Sequence, residues 1–188
     1  FLFSQANEHR IFTFALATIS DYSLFGVVNF KRLAWEGNLF MVPLLFLINL
    51  LNTTNRRNPW ILLPVAFLLF IPQQEITNWP IVAFGVILQF CLVIAALWML
   101  ARPGWTNLAV AVVLATIATF SFGNGMFTFA VGFLVLALKK PKQPLIWLVW
   151  GLSMSMAIFL YFLDYKFRGQ TGLLALALHK PAPVVQYF

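Results

Sequence analysis

Charge is scarce in this sequence: Asp, Glu, Lys and Arg make up 9% of its 188 residues, where an ordinary soluble domain carries about 25%. A chain of this length, one domain by size, leaves a large share of its surface outside any core. With 62% hydrophobic residues, that surface would be an apolar patch that lipid accepts and water does not. Acids are the scarcer sign, five against twelve Lys and Arg, for a net charge of +7. Such a balance can mark a nucleic-acid binder, but here the cations are scattered into connections between apolar segments, which excludes nucleic acid as a partner. One cysteine, Cys91, rules out a disulfide within the chain, and its apolar neighbours make it a packing residue. There is no Walker motif, dinucleotide fingerprint or nucleophile elbow. His179 stands beside Lys180-Pro181 with no partner at metal-ligand spacing, so no metal site is assigned. No signal peptide is recognisable. Phe1 in place of Met, and the approach to another apolar stretch at Gln186-Tyr187-Phe188, lead us to expect a piece of a longer protein.

What the sequence does have is long apolar runs. They cover 37–51, 59–72, 80–101, 106–121, 125–138 and 145–163. Backbone groups in hydrocarbon must be satisfied within their own segment, and these runs lack the alternation of barrel strands. The expected fold is therefore all-α, a polytopic bundle of about six transmembrane helices. The stretch 106–138 read as one helix would be about 33 residues at 1.5 Å each, far beyond a 30 Å slab. Gly123-Asn124-Gly125 supplies a break, so a helical hairpin is expected there. The segment 11–30 is apolar enough to span but carries Asp21 and Asn29. A buried Asp costs roughly 2.5 to 3.5 kcal/mol on insertion scales, which favours a helix lying along the membrane surface with Asp21 and Tyr22 at headgroup level. The expected organisation is a single membrane domain over 1–188: an outer loop and interfacial helix over 1–36, six transmembrane helices over 37–163, and an outer segment over 164–188.

Orientation follows from the short connections. Arg56-Arg57, Arg102 and Lys139-Lys140-Pro141-Lys142 are basic, whereas 73–79 and 122–124 contain neither Lys nor Arg. The positive-inside rule puts the first set in the cytoplasm and both chain ends outside. Cations on the flanks, Arg10, Lys31, Arg32, Lys166, Arg168 and Lys180, balance the whole-chain count, so the short bounded loops decide. Glu8, Asp21, Glu36, Glu75 and Asp164 all then fall on the outer side. Asn52-Thr53-Thr54 matches a glycosylation sequon but falls in a connection assigned to the cytoplasm.

Chemistry-bearing residues therefore gather at the outer face. Asn7-Glu8-His9-Arg10 brings a carboxylate, an imidazole and a guanidinium together just before an apolar helix. Glu8 or His9 could act as a general base and Arg10 could grip a phosphate; the competing reading is a polar helix start in water or headgroups. Glu75, in the turn before Trp79, is either a solvated loop residue or a carboxylate held over the mouth of the bundle. Gln89 in the next span reads as a polar contact between helices. Ser121 to Gly125, with Asn124, joins a helix break to exposed amides that can bind anions. Asp164-Tyr165-Lys166-Phe167-Arg168 closes the last span either as an interfacial anchor or as a site at which Lys166 and Arg168 attract a lipid phosphate.

The order of these motifs resembles a group of bacterial multi-pass membrane proteins that look like glycosyltransferases of the GT-C type. The landmarks are Asn7-Glu8-His9-Arg10, then Asp21 with Leu24-Phe25, then 72–79 with Gln89-Phe90, then 121–125, then 161–165, with Pro183 and Tyr187-Phe188 approaching another span. The resemblance implies transfer of a sugar from a polyprenyl-phosphate carrier to an acceptor at the extracytoplasmic face of a bacterial inner membrane. It implies Glu8 and His9 as catalytic residues and Arg10, Asp21, Glu75, Asn124, Asp164, Lys166 and Arg168 as substrate-binding residues. In that class the acid commonly follows the first membrane helix, which would lie before Phe1. The partners implied are the bilayer and the polyprenyl-linked sugar; the cofactor is open, a divalent metal included. The alternative is a polysaccharide or lipid export component without catalysis, although ion-coupled carriers bury ionisable groups at midplane and these spans have almost none.

Overall fold

The computed structural model describes residues 3, 5–6, 9–51, 80–141 and 143–165. Among them the chain is helical apart from a two-rung antiparallel ladder, β1 (Gln5–Ala6) against β2 (His9–Arg10), with Gln5 opposite Arg10 and Ala6 opposite His9. Helix α1 (Phe12–Phe25) follows and stops at Gly26, whose left-handed φ of 72° lets its N–H return to the Tyr22 carbonyl. Helix α2 (Phe30–Leu39) begins seven residues ahead of the apolar run at 37–51 because Asn29 caps it: its side-chain oxygen accepts from the N–H groups of Lys31 and Arg32 at 3.0 and 3.1 Å. It passes through Phe40 into α3 (Met41–Leu51), one run of 22 residues. Helix α4 comprises Pro80–Val82, a π-helical stretch Ala83–Ile87 and Leu88–Leu100. Then come α5 (Trp105–Ser121), a 3-10 turn (Gly123–Met126), α6 (Phe127–Lys139) and α7 (Pro144–Phe162). Proline at the first position of α7 costs no hydrogen bond there, since that N–H would have no partner in the helix.

Small side chains let the central helices approach closely. Ala96 of α4 and Ala111, Ala115 and Ala118 of α5 are wholly buried where these two helices pack. Helices α6 and α7 meet at Trp150, whose indole N–H donates to the Phe129 carbonyl at 3.0 Å and whose ring lies 5.0 Å from that of Phe129. Gly132 makes the room: a Cβ there would stand 2.3 Å from Trp150 Cζ2. On the other flank α3 lies on α4 through Met41, Leu44, Ala83, Ile87 and Cys91. The Cys91 thiol donates to the Phe40 carbonyl at 3.2 Å. Cys91 is thus a packing residue, as its surroundings in the sequence suggest.

Outside these seams the helices are apolar. Leu138, Val42, Leu134, Phe159 and Leu152 are each more than 60% exposed. Helix α7 buries few of its 19 residues and runs about 28 Å, near the thickness of a hydrocarbon core. Among the described residues three helical runs are long and apolar enough to cross a membrane: Phe30–Leu51, Ala83–Leu100 and Pro144–Phe162. Trp105–Ser121 and Gly123–Lys139 are shorter apolar helices. The break expected at Gly123-Asn124-Gly125 separates them, whereas the run at 59–72 lies outside the described residues. The segment 11–30 forms α1 and the start of α2, and Asp21 is buried against protein. The partner that holds it there is described below.

Candidate functional site

The polar side chains of interest lie at the end of the bundle away from the 101–104 and 140–143 connections. Its first component is Arg10. Backbone pairing in the ladder turns this side chain onto the C-terminus of α7, where it is buried. Its Nε donates to the Tyr161 carbonyl at 2.7 Å, one terminal nitrogen to the Phe3 carbonyl at 2.5 Å and the other to the Leu163 carbonyl. Carbonyls in the last turn of a helix have no intrahelical donor and sit at the negative end of its dipole, so a guanidinium satisfies both needs. Rings surround the clamp. Phe3 stacks on Phe12 at 5.4 Å and meets Phe120 edge-on at 5.6 Å, and Phe120 leads to Tyr161 and thence to Tyr165. Arg10 therefore has its donors directed at backbone; it fixes His9 and the ladder beside the end of α7.

The second component is a cavity of about 350 Å³ lined in part by Thr13, Ser20 and Asp21 of α1, Glu36 of α2, and Phe84 and Leu88 of α4. Thr13 ties α1 to α4 by donating its hydroxyl to the Phe84 carbonyl at 3.2 Å. Asp21 is held on two sides: one oxygen accepts from Arg32 Nε at 2.5 Å, the other from the Asn29 N–H at 2.8 Å. The Arg32 hydrogen bond holds the Asp21 carboxyl below its ordinary value against the opposing effect of burial, with the Asn29 amide adding to the lowering. The Arg32 guanidinium also lies 3.6 Å from the centre of the Phe25 ring. Glu36, half-buried one turn beyond Arg32, lines the cavity without an ion pair, the Arg32–Asp21 bridge being the one ion pair among the described residues.

The third component is the turn between α5 and α6. Gly125 is required by space, since a Cβ would stand 2.1 Å from the Ala118 carbonyl oxygen. Gln89 of α4 braces this turn. With Nε2 donating to the Gly85 carbonyl at 3.2 Å and Oε1 accepting from the Gly125 N–H at 2.7 Å, both ends of its amide are satisfied. The opposite orientation leaves a single 3.3 Å bond to the Phe122 carbonyl, so the first is favoured. Gln89 thus joins two helices, the role its position in an apolar span suggests. Asn124 is exposed at the tip of the turn.

The structure brings the backbone of His9 and Arg10 to the end of α7, where Asp164 follows, exposed and with a left-handed φ of 57°. Asp21 stands apart from them in the cavity with Glu36. Glu8, Glu75, Lys166 and Arg168 lie outside the described residues, as do His179 and the side chain of His9. Arg32 and Glu36 carry no role in the sequence reading, yet they are the partner and the neighbour of Asp21. Their signal was local: Asn29 as a helix cap, with Arg32 and Glu36 four apart on the face it starts. Among the described residues no group of three or more His, Cys, Asp or Glu stands together.

Together these features define an apolar helical bundle suited to a lipid bilayer, with Asp21 and Glu36 set in a largely apolar cavity at one end. In comparison with known proteins, no protein-family model matches the chain, and no curated protein or solved structure matches it either.

Proposed function

We propose that the chain is the membrane domain of a glycosyltransferase of the GT-C type, moving a sugar from a polyprenyl-phosphate carrier to an acceptor at the outer membrane face. The observation that carries this reading is the cavity between α1, α2 and α4, where Glu36 is a carboxylate with no ion pair among the described residues, beside apolar walls open to lipid-soluble substrate. In the proposed step the acceptor hydroxyl oxygen bonds to the anomeric carbon as the bond from that carbon to the phosphate oxygen breaks. The hydroxyl proton passes to a carboxylate and the carrier leaves as polyprenyl phosphate. Glu36 is the base offered by the cavity, and Glu8 the base offered by the motif order, with His9 orienting the acceptor. Arg10 positions the His9 strand, Asp21 positions α2 through Arg32, and Lys166 and Arg168 stand next in sequence to Asp164 as the cations for the leaving phosphate. Asn124, exposed at the α5–α6 turn, and Glu75, in a connection whose sequence lacks Lys and Arg, are the remaining candidates for substrate contact. The proposed orientation places the basic connections 101–104 and 139–142 in the cytoplasm of a bacterial inner membrane and the cavity outside.

Purified chain in lipid nanodiscs, supplied with polyprenyl-phosphate-linked sugar and tested as wild type, Glu8→Gln and Glu36→Gln, decides the matter. Loss of the general base lowers turnover by about 10²- to 10⁴-fold. Undiminished transfer by both variants removes these roles, and translocation of the lipid-linked sugar without transfer identifies an export component instead.

A further inference from the structure

The opposite end of the bundle carries a site of its own. Between the 101–104 turn and the 140–143 connection lies a cavity of about 410 Å³, within the range of small-molecule pockets. Leu100, Leu108, Leu136 and Ile146 form an apolar wall, and Arg102 and Lys139 supply the charge. The Arg102 guanidinium carbon lies over Trp98, 3.5 Å from the ring centre, and the group makes no hydrogen bond or ion pair among the described residues. Held there by the ring, its N–H groups have no partner among the described residues, the state suited to a two-pronged grip on phosphate. Lys139 and Lys140 at the end of α6 are exposed and likewise without ion pairs there. No Asp or Glu occurs anywhere from residue 76 to residue 163, so the sequence of all four surrounding helices offers these cations no counterion.

Helix dipoles do not supply the attraction. The antiparallel arrangement brings the starts of α5 and α7 and the ends of α4 and α6 to this place, and their opposite partial charges offset one another. What remains is fixed cationic charge over an apolar wall. That wall continues into the membrane-length helices α4 and α7, which sets the cavity at the height where acyl chains meet headgroups.

We infer that this cavity binds the phosphate group of an anionic phospholipid, with Arg102 and Lys139 on the phosphate and the glycerol and first acyl carbons against Leu100, Leu108, Leu136 and Ile146. Native mass spectrometry of the detergent-solubilised full chain, titrated with dioleoylphosphatidylglycerol or dioleoylphosphatidylcholine, tests it. Two phosphate-facing cations correspond to a preference of about 30-fold for the anionic lipid. The double variant Arg102→Gln, Lys139→Gln reduces this to about threefold or less. The charge-keeping pair Arg102→Lys, Lys139→Arg retains most of it, and Lys31→Gln, on an exposed site outside this cavity, leaves it intact. Ile146→Trp, which fills the cavity while keeping both cations, lowers anionic-lipid binding and provides a second reading should the neutral double variant fold poorly. Equal binding of the two lipids by the wild type, or a preference that survives both the neutral pair and Ile146→Trp, overturns the inference. Competition by glycerol 3-phosphate at concentrations equal to those of the lipid assigns the cavity to a soluble phosphate ester and overturns the lipid as its source.

Discussion

The two ends of the bundle use charge in opposite ways. At the α1 and α2 end, Arg10 is directed at the last carbonyls of α7 and Arg32 at Asp21, so the cations hold helices together. At the 101–104 and 140–143 end, the side chains of Arg102, Lys139 and Lys140 make no hydrogen bond or ion pair among the described residues; the contact fixed there is the Trp98 face under Arg102. A cation buried against backbone is architecture, whereas an oriented cation without a counterion is available to something outside the fold. Charge count alone would rank the ends by basicity and miss this distinction.

The turn glycines give the sharpest contrast. Gly125→Ala drives a Cβ to 2.1 Å from a backbone oxygen that cannot swing aside, and we expect a loss of about 3 kcal/mol, read by unfolding in detergent mixtures. At Gly104, at the other end, a Cβ would make only an ordinary 3.7 Å contact with Asn107 Nδ2, but φ is 111°, so Gly104→Ala costs about 1 to 2 kcal/mol through backbone conformation. Between them falls Arg10→Ala, which leaves three carbonyls without their charged donor, for an expected loss of about 2 to 3 kcal/mol in the same assay. Arg102→Gln should change stability by no more than about 0.5 kcal/mol. Equal losses for the two arginines would erase the distinction between the ends.

A gentler probe is pH. Because Arg32 and the Asn29 amide lower the Asp21 pKa on folding, this carboxylate contributes stability that is fully present above its unfolded value of about 3.9 and is lost as pH falls through the lower folded value. Thermal melts in detergent across that acid range should show a shallower loss for Asp21→Asn than for the wild type. Identical acid limbs would mean that the bridge contributes nothing.

Much of this layout can be read in the sequence and some of it cannot. Hydropathy over 80–101, 106–121, 125–138 and 145–163 coincides with helices α4 to α7 to within a few residues, because apolar composition and helix length are local properties. The glycine-rich break before α6 is legible for the same reason, as is Gln89, a lone amide in an apolar run. The π-helical stretch at Ala83–Ile87 left no such trace. Nor could spacing reveal that Arg10 caps α7, since the two are separated by 151 residues along the chain and neither end of the contact has a distinctive pattern. Asp21 is the instructive middle case. Its isolation in an apolar segment suggested a membrane surface, but the counterion was 11 residues on, placed by the Asn29 cap of the following helix.

The central claim is that the α1–α2 end and the basic end lie on opposite faces of one bilayer. Single cysteines introduced as Asn124→Cys and Lys140→Cys on a Cys91→Ala background, labelled with a membrane-impermeant maleimide in sealed vesicles, test it directly. The account predicts that one site labels in intact vesicles and the other only after they are opened; labelling of both from the same side would contradict it.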